Sequence, residues 1–424
     1  MYNKIRICGD SMNLLDRKVV TIDALDHQGR GIAHIDHFVI FVFNALVGEQ
    51  VEIEIVRVKK NIAKGKVIKI LKASPERIES ICPYFKECGG CDLLHMPYQN
   101  QLFYKENKVK EIMRKFARLE NVVESIVPND NVYGYRNKVT FQVEEKVGFY
   151  GKRSHKIIEI DKCFLIPDIM NEYLSILKRE MNFSFVNQIM MRQSEYEQKM
   201  MIVFDVTKEF SNSQVPLNEL SNVSVLIKRE HNYGVLLGDD FLLEKVGDYI
   251  FKISPESFFQ VNTKQMEKLY QIVLDHSGLR KDEKVLDLYC GTGTIGIYLS
   301  KKANDILGIE MNESAIEDAF WNKKQNCIHN INFMCGDTGS VLKGASFQPD
   351  LIVVDPPRAG LDELAISEIK RIHAPKVIYV SCEPVTLARD INRLEQDYEV
   401  MTIIPVDMFS NTYHVECVCI LKYR

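Results

Sequence analysis

The spacing of apolar and polar positions changes character twice along the chain. From Val19 to Leu71 the runs VVTIDAL, FVIFVFNAL, GEQVEIEIVRV and AKGKVIKIL are β-rich, are broken by turns such as DHQGRG, and carry no helical period. Four or five short strands of this kind predict a small barrel of the oligonucleotide-binding type. Between Met96 and Leu119 the period lengthens. Leu102, Val109, Ile112, Met113, Phe116 and Leu119 fall on one face of a predicted helix, with lysine and arginine on the other. GYRNKVTFQV and VGFYGKRSHKIIEI then read as strands, and residues 170–250 alternate helix and strand.

From Phe251 onward strands and helices alternate regularly, which predicts an open α/β sheet. FKISPESFFQ leads through Asn262 and Thr263, either able to cap, into the helical pattern TKQMEKLYQIVLDHS. KVLDLYCGTGTIGIYLS reads as strand, glycine turn and helix, and the strands ILGIE, INFMCGD, DLIVVDPP and KVIYVSCEP come after it. Ligands bind at the carboxyl edge of such sheets, and these strand ends all deliver polar groups there. Glu310, about 20 residues past the glycine turn, suits ribose hydroxyls. Asp337 is placed for an adenine amino group and Asp355 for a transfer site. A Gly-x-Gly turn also suits dinucleotides, but here Thr294 continues the run, which favours S-adenosylmethionine. If these acids only capped helices, that reading would have to hold at four strand ends at once.

Pro384 stops the fifth strand and puts Cys382 on a turn at the same edge. A thiol there is a candidate nucleophile, although a lone free cysteine is more often a small core hydrophobe.

Composition narrows the setting. The 424 residues allow two or three domains, and a 46% hydrophobic and 26% charged content is ordinary for a globular protein. No apolar run approaches membrane-spanning length, and the N-terminal stretch has no signal-peptide core, so a cytoplasmic protein is expected. Its 11 cysteines then read as thiols or metal ligands. A net charge of −4 argues against wholesale coating by nucleic acid but leaves room for local basic faces. One such face is Arg57, Lys59, Lys60, Lys64, Lys66, Lys69 and Lys72, which suits a phosphate backbone or guards an edge strand. Others are Tyr135–Lys138 and Tyr150–His155, which mix rings with cations as single-strand RNA binders do.

Cys82, Cys88 and Cys91, beside Gly89-Gly90 and with a lone Cys163 far downstream, indicate thiolate ligation of zinc or an iron–sulfur cluster. The spacing departs from paired CxxC motifs and leans toward a cubane, without identifying a fourth ligand. Cys290, Cys327, Cys335, Cys417 and Cys419 read as core residues.

Together, FFQVN, DLYCGTGTIG, DPPRAGL, VSCEP with TLARD, and HVECV, added to the barrel and the cysteines, resemble the RNA uracil-C5 methyltransferases of the 23S ribosomal RNA type. The resemblance covers nearly the whole chain. It implies a TRAM-like β-barrel that binds RNA (1–74) and a central α+β domain carrying an iron–sulfur cluster (75–250). It further implies a Rossmann-like S-adenosylmethionine-dependent domain (251–424), with the helix at about 96–119 packed on it. Cys82, Cys88, Cys91 and Cys163 would bind a [4Fe-4S] cluster. Gln260, Tyr289, Gly291, Thr294, Glu310, Asp337 and Asp355 would hold S-adenosylmethionine. Cys382 would be the nucleophile and Glu416 the general base, acting on 23S rRNA as a cytoplasmic monomer. Alternatives are a tRNA uracil-C5 methyltransferase and a non-catalytic RNA-binding or redox-sensing module. Three positions depart from the family pattern: Glu383 in place of asparagine, and Ser410 and Tyr413 in place of proline and histidine. A carboxylate beside Cys382 is expected to raise its pKa.

Overall fold

The computed structural model describes residues 12–343 and 347–424, so most of the polar N-terminal stretch lies outside the described residues. The chain divides into two compact units. One holds the chain up to Lys86 together with Cys91–Gln101 and Asn411–Tyr413; the other holds Glu87–Gly90, Leu102–Ser410 and His414–Arg424.

In the first unit the alternating runs form one six-stranded sheet. Its order is Arg17–Thr21, Gln50–Lys59, Ile62–Lys72, Phe38–Phe43, Gly31–Ile35 and Ala24–Leu25. Period-two alternation buries Ile40, Val42, Val51, Ile53, Ile55 and Ala63 together, while Lys66, Lys69 and Lys72 face solvent. The two-residue strand Ala24–Leu25 takes the count past the four or five expected.

The second unit contains two seven-stranded sheets. The first includes Lys138–Val143, Val186–Ser194, Lys199–Val206 and Val223–Arg229, and its core buries Phe141, Ile189, Ile202 and Phe204 with Met170, Leu174 and Leu177 of the helix Asp168–Glu180. Tyr135, expected on an RNA-facing tip, is instead buried, and its hydroxyl donates to the Ser410 carbonyl at 2.9 Å. Tyr150 is exposed as expected.

The second sheet is built from β1 (Lys284–Leu288), β2 (Asp305–Glu310), β3 (Ile331–Cys335), β4 (Leu351–Val354), β5 (Lys376–Ser381), β6 (Tyr398–Val406) and β7 (Glu416–Tyr423). The spatial order is β3-β2-β1-β4-β5-β7-β6. The first five strands run parallel, as their continuous apolar runs require. β7 lies antiparallel between β5 and β6. Asn262 caps the helix Thr263–Ser277 by accepting from Gln265 N–H. Cys290, Cys417 and Cys419 are buried as expected, whereas Cys327 and Cys335 are exposed, since each lies at the end of its element.

The helix predicted over 96–119 spans Tyr98–Ile112 and widens into a π-helical turn at Met113–Ala117, ended by Arg118 in the left-handed region. The widening turns Phe116 out of the apolar face, leaving it 55% exposed. Lys105 is fully buried: its Nζ pairs with Asp407 Oδ1 at 2.5 Å and donates to the Phe409 carbonyl at 2.9 Å. Asp407 Oδ2 accepts from Ser410 Oγ, which in turn accepts from Asn129 Nδ2. This network fixes the chain just before His414.

Removing one member of a buried ion pair strands the other charge, which costs about 3–5 kcal/mol. Lys105→Met is therefore expected to lower the urea midpoint strongly, and Lys105→Met/Asp407→Leu to recover part of the loss. Additive losses in the double variant would show that the pair is not coupled.

Candidate active site

The carboxyl edge of the parallel strands gathers the predicted groups. Tyr289 follows β1, Glu310 closes β2, Asp337 lies just past β3, Asp355 follows β4 and Cys382 follows β5. Because β7 is antiparallel, its first residue, Glu416, reaches the same edge. Ser381 pairs with Cys417, and continuing that register by one residue sets Cys382 opposite Glu416. Residues opposite one another on neighbouring strands lie about 5 Å apart between Cα atoms. Glu416 is interior to the sheet and only 2% exposed.

The turn at Cys382 is closely held. Ser381 Oγ accepts from Glu383 N–H, and the Glu383 side chain caps the helix Pro384–Leu394 by accepting from Val385 N–H. Glu383 is thus occupied as a cap, and the charges acting on the Cys382 thiol are those of other residues. Thr386 Oγ1 lies 3.2 Å from the Arg358 carbonyl, and Arg389 donates to the Ala359 carbonyl, so this helix ties down the Asp355–Gly360 loop. Gly360, at φ +77°, has no room for a side chain against Asp390 and Arg389.

Electrostatics binds these residues into one system. Burial, followed by the Glu416 and Asp355 charges, pushes the half-buried Cys382 thiol up to about 12, and Arg358 opposes the shift. Burial and Asp355 raise Glu416 to about 8, again against Arg358. Burial raises Asp355 to about 7. Asp287 also reaches about 7, through burial first and then the charges of Asp355 and Glu310. Its Oδ2 accepts from Gly296 N–H, while its Oδ1 has no partner. Burial, with Arg358, Lys108, Lys105 and Arg136 adding to it, depresses His414 to about 3 and keeps the imidazole neutral. A pocket in which several buried acids face a nearby arginine is short of positive charge, and a cationic ligand fits it.

The other predicted ligand-holding residues divide. Tyr289 adopts φ 60°, a left-handed conformation that is strained for a bulky side chain. Gly291 faces open space and donates its N–H to Glu310 Oε2 at 3.1 Å, while Glu310 Oε1 accepts from Met311 and Asn312 N–H. Gln260 is buried, its carbonyl accepting from Asn137 Nδ2. Thr294 is turned inward, with Oγ1 2.7 Å from Tyr270 Oη, and Asp337 caps the helix Thr338–Leu342 through Ser340 N–H. Sequence reasoning did not assign Asp287 or Arg358 a role. Burial at a strand end was the missing signal for the first, and for the second it was the tertiary approach of the DPPRAGL loop to Cys382.

Cys82, Cys88, Cys91 and Cys163 are all half-buried, a donor set of the right chemistry for iron or zinc. Gly90 N–H donates to Cys88 Sγ at 3.4 Å. Among the described residues, however, no group of three or more histidine, cysteine or acidic side chains is placed to hold a metal ion. The described geometry therefore lends the cluster no support.

Comparison with known proteins gives this arrangement a family. Residues 97–424 match the family described as tRNA (Uracil-5-)-methyltransferase, and residues 17–68 match the TRAM domain. A protein of Clostridium tetani named as an uncharacterized RNA methyltransferase is 37% identical, over 95% of this chain and 95% of that protein. A Staphylococcus aureus protein with the same description is 35% identical over 96% of this chain and 98% of its own. Among solved structures, the Pyrococcus abyssi tRNA (uracil-54, C5)-methyltransferase in complex with S-adenosyl-L-homocysteine superposes with a TM-score of 0.80 and 30% identity. That match covers 95% of this chain and 99% of the other.

The raised Glu416 pKa has a stability consequence. Its folded-state value of about 8 lies above the usual glutamate value, so the folded protein binds that proton more tightly than the unfolded chain. The contribution is fully present at acid pH and is lost as pH rises toward and through about 8. Glu416→Gln, which cannot ionise, is expected to gain stability over wild type between pH 5 and pH 9 in paired urea titrations. An equal midpoint difference at both pH values would refute the shift.

Proposed function

The chain belongs to the RNA (uracil-5-)-methyltransferase family, and from that membership we propose that it methylates uracil C5 through a covalent adduct on Cys382. The observation that supports this reading most directly is the register that pairs Ser381 with Cys417, which brings the next residues, Cys382 and Glu416, to the same edge of the sheet. S-adenosylmethionine is the proposed cosubstrate, held by Gln260, Tyr289, Gly291, Glu310 and Asp355, with Thr294 and Asp337 assigned by motif. When bound, it supplies an electrophilic methyl group and a positive charge, and the unpartnered oxygen of Asp287 fits a cation of that kind.

Uracil C5 is a weak nucleophile. Addition of the Cys382 thiolate to C6 would convert the base to an enolate, whose C5 would take the methyl group as the methyl–sulfonium bond breaks and its electron pair stays on sulfur, leaving the donor as a neutral thioether. Glu416 removes the C5 proton, the C5–C6 double bond re-forms and the thiolate leaves. The net exchange replaces C5–H by C5–CH3, with the proton passed to solvent. Arg358 favours the thiolate, which the neighbouring acids disfavour. The target base must leave its stack to reach the half-buried thiol.

We propose 23S rRNA as the substrate, acted on by a cytoplasmic monomer, on the strength of the four-cysteine motif. A tRNA substrate is the second reading. The Pyrococcus abyssi tRNA enzyme matches 95% of this chain, so the match extends into the TRAM region and that region does not discriminate between the two. The three-part division at about residues 74 and 250 remains the proposed domain plan. The four cysteines are proposed to hold a [4Fe-4S] cluster on their sequence spacing alone, and no step of the reaction passes through it. Among the described residues, no helix is long and apolar enough to cross a membrane.

With 5-fluorouridine transcripts of 23S rRNA and tRNA, wild type is expected to form a denaturation-resistant adduct on its own substrate. Cys382→Ala should form none, and Glu416→Gln should retain adduct on unmodified RNA because elimination stalls. No adduct on either transcript would refute covalent catalysis, and an adduct on tRNA alone would overturn the rRNA assignment. For the cluster, protein purified without oxygen is expected to be brown, with iron and labile sulfide in equal amounts. Zinc without iron, or no metal, would overturn it.

A further inference from the structure

We propose that the groove between the π-helical turn Met113–Ala117 and the helix Pro384–Leu394 binds the RNA strand flanking the target uridine. This rests on the RNA reading above and deepens it. The groove, about 540 Å³, is lined by Phe116, Val385, Arg389, Asn392 and Arg393. Val385 is the third residue after Cys382, at the carboxyl edge of the sheet, and Arg393 lies about 12 Å further along the helix at 1.5 Å per residue. The groove therefore has one end at the first turn of the helix that follows Cys382 and runs along that helix.

Its chemistry suits single-stranded nucleic acid. Phe116 is the ring that the π turn rotates outward, and Asn392 Nδ2 donates to its carbonyl at 2.5 Å, which anchors the turn. Arg389 and Arg393 share the buried carboxylate of Asp390, at 2.8 and 3.5 Å, so the pair keeps excess positive charge. Arg114, Lys115 and Arg118 are exposed around the ring, and of these Lys115 pairs with Glu111. An exposed ring flanked by cations on both walls gives one base a stacking surface and its phosphates a counter-charge. A lone exposed phenylalanine is ordinary. Here it stands in a cationic groove walled by the helix that follows the nucleophile's turn.

The test uses full-length protein and fluorescent 23S rRNA and tRNA transcripts. Phe116→Ala is expected to weaken binding of the preferred transcript by about 5-fold or more, as loss of one stacked base does. Arg114→Gln and Arg118→Gln spare the Asp390 network, and each variant, by giving up one phosphate partner, should reduce the salt slope by about one. Methylation at saturating RNA and the KM for S-adenosylmethionine should stay at wild-type values. Unchanged affinity and salt slope in all three variants, in a wild type that methylates RNA, would overturn the groove and leave the activity standing. Wild type that binds and methylates neither transcript would remove the RNA reading, and the groove with it. Loss of a co-purifying protein from Phe116→Ala at unchanged RNA affinity would assign the groove to that protein instead.

Discussion

The direction of one strand decides what this sheet can do. Parallel strands present only their carboxyl ends to the ligand edge, so each contributes a residue at or just beyond its end: Tyr289, Glu310, Asp337, Asp355 and Cys382. A group at the start of a strand reaches that edge only if the strand runs the other way. β7 does so, inserted between β5 and β6, and its first residue is Glu416. The insertion is secured along its length, since Cys417, Val418, Cys419, Ile420 and Leu421 are all buried. Before it, the chain is held by Asp407, Ser410 and Lys105. A buried ammonium is an expensive way to fasten a loop, and the loop it fastens sets where Glu416 begins.

The same edge is electrically unbalanced. Asp287, Asp355 and Glu416 are all raised first by burial, the Asp355 charge adds to the rise at Asp287 and Glu416, and Arg358 is the cation that opposes the rise at Cys382 and Glu416. On the proposed reading this imbalance has a use. A site short of positive charge would favour a sulfonium, whose charge would in turn favour the Cys382 thiolate that burial and the neighbouring acids disfavour.

Much of this was legible in the sequence because strand ends are punctuated locally. Glycine at 291 and 293 and proline at 356, 357 and 384 mark where β1, β4 and β5 must stop, and a strand that stops at a polar residue delivers it to the edge. What escaped depended on partners distant in sequence. Lys105 reads as part of a solvated face because helical periodicity does not register Asp407. Phe116 reads as core because an α-helical period was extended through a π turn. Tyr135 reads as a stacking ring, but the Ser410 carbonyl takes its hydroxyl into the interior. The antiparallel entry of β7, which makes Glu416 interior, has no local signature at all.

Two of the three departures from the family pattern, Glu383 and Ser410, obey the same division between reacting groups and their supports. Glu383, which the sequence suggested would disturb the neighbouring thiol, spends its carboxylate on the N-terminus of the next helix, where a negative charge is stabilising. Ser410 gives Asp407 a second donor beside Lys105 and accepts from Asn129, which a proline would not do. Both substitutions therefore act one residue shell away from the atoms that would react. They change how the nucleophile's turn and the base's strand are braced, while Cys382, Asp355, Arg358 and Glu416 stay together at the edge. At these two positions the divergence falls on bracing, and the groups that would react keep their places at the edge of the sheet.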